Sequence, residues 1–261
     1  MKWSSSSPCR EGNHKDDLWV IVSAAKGGTV LAARASLEIG YYCDLCVGIG
    51  HRPDGKWPPA REYNPPYRCD VFMAIANAQN WQEYAREHGG PVRCVVLTRN
   101  PLTRFKSLYQ YIYDGSEYDL VDPSKELQKI HKKNITQAVY HMFKTIGNQT
   151  FIDSHQHLML SLQRPDCTQI RFEDFTSNFD ETMSKWLENW EIMNPKIQQN
   201  LLKRLARYDL NRQTATELAK EHHISGRSLT KEEVQNIENA IRSYPDIMQL
   251  LNHQSRDLSY E

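Results

Sequence analysis

Two short stretches hold the residue types best placed to do chemistry. The first runs from Leu18 to Ser36, LWVIVSAAKGGTVLAARAS. It opens with an apolar run the length of a buried strand and turns through Ala24-Ala25-Lys26-Gly27-Gly28-Thr29. It then continues from Val30 as a helix. Strand, glycine-rich loop and helix start together make an anion cradle. Glycines let backbone N–H groups approach a phosphate, and the helix N-terminus presents positive partial charge. Lys26 adds a full charge and Thr29 a hydroxyl. The loop is not a Walker A sequence, because Lys26 precedes the glycines instead of following the last one. A K-G-G-T tetrad is also a common turn before a helix. The second stretch is Arg99 to Ser107, RNPLTRFKS, directly after the strand-like run Val92 to Thr98. Ser107 falls two turns into the helix that follows. In a parallel sheet, ligands bind at the carboxyl ends of the strands. Two anion sites there would suit a nucleotide carrying phosphates at two places. The plainer alternative is a helix-start arginine and a packed serine.

The elements that must position these residues follow in order. Residues 1–16 read as a polar, flexible tail. After the first strand–loop–helix unit, Gly40 is expected to cap the helix and Tyr41 to Val47 to form a second strand. A long Gly/Pro-rich loop, Gly48 to Pro66, carries His51, Trp57 and Glu62. A third strand is expected over Asp70 to Ala76, a helix over Trp81 to His88, and the Val92 to Thr98 strand next. Pro101 suits the first turn of a helix to about Tyr113. Further helices are expected over Ser124 to Ile146 and Ser154 to Leu162. A strand then spans Thr168 to Phe172, with Glu173-Asp174 behind it. Helices near Glu181 to Trp190, Lys196 to Tyr208 and Thr214 to His222 follow. Thr230 and Glu233 form a capping box for a helix to about Ser243. Strands alternating with helices predict an α/β fold. Its sheet is parallel, of about five strands and flanked by helices in three layers, with a helical C-terminal third. One domain is expected over residues 17–261.

Composition narrows the function classes. Lysine plus arginine and aspartate plus glutamate each number 32, so the formal charge is zero. Such a balance lacks the positive field that steers nucleic-acid or membrane binding. No apolar run reaches the roughly 20 residues of a membrane span. The polar start of the chain lacks a signal-peptide core, so a cytoplasmic protein is expected. The six cysteines show no disulfide-scaffold pattern, and Cys43-x-x-Cys46 reads as two cysteines near a strand. The sequons at Asn134-Ile135-Thr136 and Asn148-Gln149-Thr150 are expected to be chance matches.

Taken together, the motifs resemble the PAPS-dependent sulfotransferase family, whose donor is 3′-phosphoadenosine-5′-phosphosulfate. Ala25-Lys26-Gly27-Gly28-Thr29-Val30 is similar to that family's 5′-phosphosulfate loop after the first strand. Arg99-Asn100-Pro101 with Ser107 is similar to its 3′-phosphate motif. Arg171-Phe172-Glu173-Asp174 looks like its strand-end phrase. Ser225-Gly226-Arg227 looks like its C-terminal phosphate loop. The four appear in the family's order. Gly27 stands where the family usually has serine and Val30 where it has a second threonine. No Lys-Thr-His follows the third strand, which ends at Ala76-Asn77.

The resemblance implies sulfuryl transfer from PAPS to a hydroxyl or amine of an acceptor, PAP being the product and no metal being needed. Lys26 would contact the bridging oxygen and stabilise the leaving phosphate. Backbone N–H groups of Gly27, Gly28, Thr29 and Val30 would hold the 5′-phosphate. Arg99, Ser107 and the Ser225-Gly226-Arg227 loop would hold the 3′-phosphate, and Phe172 would lie near the adenine. His51 is the favoured general base, with Glu62 and Asp70 as alternatives. The acceptor is expected to be a small molecule, with neither nucleic acid nor membrane as partner. Two other readings stay open. One is a P-loop nucleotide kinase or NTPase. The other is a sulfotransferase-like domain that binds nucleotide without turnover.

Overall fold

A computed structural model of the chain describes residues 8–9, 17–45, 47–50, 71–75, 81–115, 121–214 and 229–260. The elements are β1 (Leu18–Ser23), α1 (Thr29–Cys43), β2 (Val47–Gly50), β3 (Val71–Ile75), α2 (Trp81–His88), β4 (Val92–Thr98), α3 (Pro101–Asp114), α4 (Val121–His131) and α5 (Ile135–Met142). After a π-helical turn at Phe143–Gly147 come α6 (Asn148–Leu162), β5 (Cys167–Arg171), α7 (Phe172–Ser177), α8 (Phe179–Asn189), α9 (Pro195–Leu205), α10 (Lys231–Arg242) and α11 (Pro245–Asp257). The chain divides into two compact units. One comprises Met1–Thr98 and Gln156–Gln213, the other Arg99–His155 and Thr214–Glu261.

The first unit carries the sheet. Its five strands run in the order β2-β3-β1-β4-β5, and every pairing is parallel. β1 is central, and all six of its residues are buried, which accounts for its unbroken apolar run. Successive side chains point to opposite faces. Trp19 and Ile21 join Met73, Val95 and Leu97 in one core, against Ile39 of α1, Trp186 of α8 and Leu201 of α9. Leu18, Val20 and Val22 join Cys94 and Val96 in another, against Trp81 of α2 and Leu158 of α6. The unit is therefore three-layered, as the alternation of strand and helix signals implies. Trp19 and Trp190 stack at 4.9 Å, and Trp186 meets Trp190 edge-on at 5.4 Å.

Three local expectations need correction. Tyr41 to Val47 is not a strand. α1 continues to Cys43 and ends at Asp44 in the left-handed region, and β2 begins only at Val47. Burial of Ile39 and Cys43 against the sheet overrides the strand propensity of Tyr41-Tyr42. Gly40 does not cap the helix but lets it approach β2, since a Cβ there would meet Val47 Cγ2 at 2.2 Å. The Ser124 to Ile146 helix is divided by a turn at residues 132–134, and α6 starts earlier than expected, at Asn148. Finally, the cysteines do pair. Cys9 bridges Cys43, and Cys94 bridges Cys167 across the adjacent strands β4 and β5. Cys46 lies outside the described residues.

The second unit is helical. Phe105, Leu108, Tyr109 and Ile112 of α3 pack with Leu127 of α4, Val139 of α5, Phe151 of α6, Ile237 and Ile241 of α10, and Ile247 and Leu251 of α11. The Thr230 capping box is formed in both directions, at 3.2 Å from Glu233 N–H to Thr230 Oγ1 and 2.8 Å from Thr230 N–H to Glu233 Oε2. No helix among the described residues is long and apolar enough to cross a membrane.

Candidate functional site

β1 sits between β3 and β4, so the chain leaves its carboxyl end where the strand order reverses. In open α/β sheets that is where ligands bind. The loop that leaves it is Ala24 to Gly28. Gly27 N–H donates to Ala24 O at 2.8 Å, closing a tight turn, and Thr29 Oγ1 ties to the same carbonyl at 3.1 Å. A Cβ on Gly27 would lie 2.9 Å from that oxygen. Lys26 adopts φ 61° and Gly28 φ 103°, both left-handed.

Gly28 is the N-cap of α1 and supplies no side-chain cap. The first-turn N–H groups of a helix have no partner within it, so Thr29 and Val30 present theirs at the loop. Lys26 is half-buried beside them. The arrangement suits a phosphate: a half-buried cation beside a helix N-terminus whose N-cap residue has no side chain to cap it. Gly27 is less available than its motif suggests, since its N–H already serves the turn. Phe172 opens α7 at the end of β5, and a Cβ on Gly28 would approach its ring to 2.5 Å. The ring thus lies against the loop after β1.

In the second unit, Asn100 caps α3. Its side chain accepts from Leu102 N–H at 3.0 Å and Thr103 N–H at 3.2 Å, and Pro101 occupies the first helical turn. The Asn-Pro pair therefore does structural work at the point where Arg99 leaves β4. Arg99 and Ser107 are both half-buried. Between them lies Arg104, only 3% exposed. Its guanidinium donates to Ser154 Oγ and lies 4.3 Å from the centre of the Phe151 ring. Burial, with the Arg99 charge nearby, pulls its pKa down to about 9. Burial and the neighbouring cation both disfavour its charged form.

Arg104 is a buried charged residue that sequence reasoning did not single out. Its signal was present, since Arg104 occupies the buried stripe of α3 with Pro101, Phe105, Leu108, Tyr109, Ile112 and Tyr113. His51, Glu62, Asp70, Trp57 and the Ser225-Gly226-Arg227 loop lie outside the described residues.

Neither a family model nor a curated protein matches the chain. Fifteen chains of solved structures do. Among them is a crystal structure of mouse sulfotransferase SULT7A1 complexed with PAP, with a TM-score of 0.53 and 13% identity, covering 91% of this chain and 88% of that one. The fold is sulfotransferase-like. A sulfotransferase-like fold accounts for the central parallel sheet with its turn after β1. At this identity the likeness concerns the backbone architecture alone.

Proposed function

We propose that the protein transfers a sulfuryl group from PAPS to a hydroxyl or amine of a small acceptor. The observation that carries this reading is the loop after β1, with its half-buried lysine and uncapped helix N-terminus, placed in a sulfotransferase-like fold that spans most of the chain. SULT7A1 was solved with PAP, which makes the adenine nucleotide the first ligand to test.

PAPS supplies the activated sulfuryl group, and the protein's share is alignment and neutralisation of charge. In this reading Lys26 stabilises the leaving 5′-phosphate. The N–H groups of Gly28, Thr29 and Val30 orient it, with Gly27 holding the turn behind them. The 3′-phosphate is assigned to Arg99, Ser107 and Arg227, arginine being suited to forked contacts, and Ser225 and Gly226 to the same loop. Phe172 is assigned to the base. His51 is the proposed general base for the acceptor proton.

Calorimetric titration of PAP into wild type, Lys26→Ala and Arg99→Ala tests the assignment. A charge-assisted hydrogen bond contributes about 1.5–3 kcal/mol, so each variant should bind about ten- to a hundredfold more weakly. Absence of PAP binding to wild type, with ATP·Mg²⁺ bound instead, would replace this reading with the kinase one. PAP binding without sulfated product over a broad acceptor panel would favour a non-catalytic nucleotide-binding domain.

A further inference from the structure

Two features of this chain find no role in sulfuryl transfer: the pair of disulfides and the Asn134-Ile135-Thr136 sequon. We propose that Asn134 is an N-glycosylation site and that the chain folds in an oxidising, lumenal compartment.

The geometry at Asn134 favours it. Asn134 is exposed, in the turn between α4 and α5, with extended backbone at φ −160° and ψ 104°. Its Oδ1 accepts from Gln137 N–H at 2.9 Å and so caps α5. Glycosylation uses the other side-chain atom, Nδ2. In that step Nδ2 attacks C1 of the first sugar of a lipid-pyrophosphate-linked oligosaccharide. The C1–oxygen bond breaks, the lipid pyrophosphate leaves with the electron pair, and one amide proton is lost. The amide oxygen keeps its lone pairs, so the cap and the glycan coexist. The turn also borders a groove of about 550 Å³ lined by Lys132, Lys133, Asn236, Asn239 and Ser243. That polar wall can carry the first sugars. Asn148 differs: it is half-buried and lies inside the helical run, its N–H bonded to Phe143 O.

The disulfides argue independently for the compartment. Cys94 is fully buried, and its bridge to Cys167 joins neighbouring strands of the sheet. Cys9 and Cys43 are bridged 34 residues apart and belong to the main core. Bridges between distant segments of a core persist in oxidising compartments, where sequons are also read. This departs from the cytoplasmic setting expected from the polar start of the chain, and it does not depend on the sulfuryl-transfer reading.

The test is to express the complete open reading frame in cultured eukaryotic cells and digest the purified protein with peptide-N-glycosidase. Wild type should drop in apparent mass to match untreated Thr136→Ala. That variant destroys the sequon yet keeps the Asn134 cap, so a folding defect is not a confounder. Mass spectrometry should find Asp at position 134 after digestion, and Cys9–Cys43 and Cys94–Cys167 peptides linked without reductant. An unmodified Asn134 in wild type, or alkylation of Cys94 and Cys167 in the unreduced protein, overturns the proposal.

Discussion

Replacing Gly28 by alanine would test the packing of the loop after β1 at its tightest point. The residue sits at φ 103°, and an added Cβ would stand 2.5 Å from Phe172 Cδ2 and 3.0 Å from Leu97 Cδ2. Left-handed backbone costs an alanine about 1–2 kcal/mol. To restore ordinary contact the Phe172 ring must retreat by about 1 Å. Overpacking of that kind costs about 1–3 kcal/mol. Gly28→Ala should therefore destabilise the first unit by about 2–5 kcal/mol. Denaturant unfolding followed by tryptophan fluorescence is the assay, because Trp19, Trp81, Trp186 and Trp190 are all buried in that unit. Phe172→Ala supplies the control. It removes the ring and leaves the backbone strain, so the double variant should be more stable than the sum of the single effects by about 1–3 kcal/mol. Additivity within about 0.5 kcal/mol, or a Gly28→Ala change below that size, would refute the argument that ring and glycine are fitted to each other.

Other outcomes follow from the same structure. Arg104→Met should leave stability within about 1 kcal/mol, because removal of a buried cation offsets the lost contacts, while PAP titration should show weakened binding; unchanged affinity would assign Arg104 to packing alone. Gly40→Ala should lower the free energy of unfolding by about 1–3 kcal/mol, because its Cβ would lie 2.2 Å from Val47 Cγ2. Stability should also fall with acid. Burial lowers the pKa of His131 and of His155 below the usual 6.5, only partly opposed by Glu233 and Asp257. The unfolded chain therefore takes up these protons first, and stability present above pH 6.5 is lost as pH falls through the folded pKa values. Calorimetric melting from pH 7.5 to 5 should show it, with a shallower slope in His155→Gln, and a flat profile would contradict it.

How legible this was from sequence varied with how local the cause was. β1, β4, α2 and the Thr230 capping box each announce themselves within a few residues, through an unbroken apolar run, a helical stripe closed by Gly89, or a cap spaced three apart. The Lys26-Gly27-Gly28-Thr29 stretch was legible as a glycine-rich turn between a strand and a helix, but the diversion of the Gly27 N–H to Ala24 depends on backbone angles that no spacing encodes. α1 ran past Gly40 because a neighbouring strand, not a local signal, sets what that glycine does. The cysteine pairs, 34 and 73 residues apart, are long-range facts of the fold. α11 went unread although Pro245 at its first turn and the Ile247/Leu251 spacing mark it.

Under tension, this chain should behave as though it were shorter than its sequence. The Cys94–Cys167 bridge closes a ring whose two cysteines are 73 residues apart in sequence, and α3, α4 and α5 all lie inside it. A pull on the two ends passes through the bridge and around the ring. Roughly 240–260 Å of contour is thereby withheld from extension until the thiols are reduced. The segment 214–261 has no such closure among the described residues, so α10 and α11 are the helices of that unit open to being drawn away by force. Single-molecule extension with and without reductant would read this ring, and the smaller one closed by Cys9–Cys43, as separate steps in length.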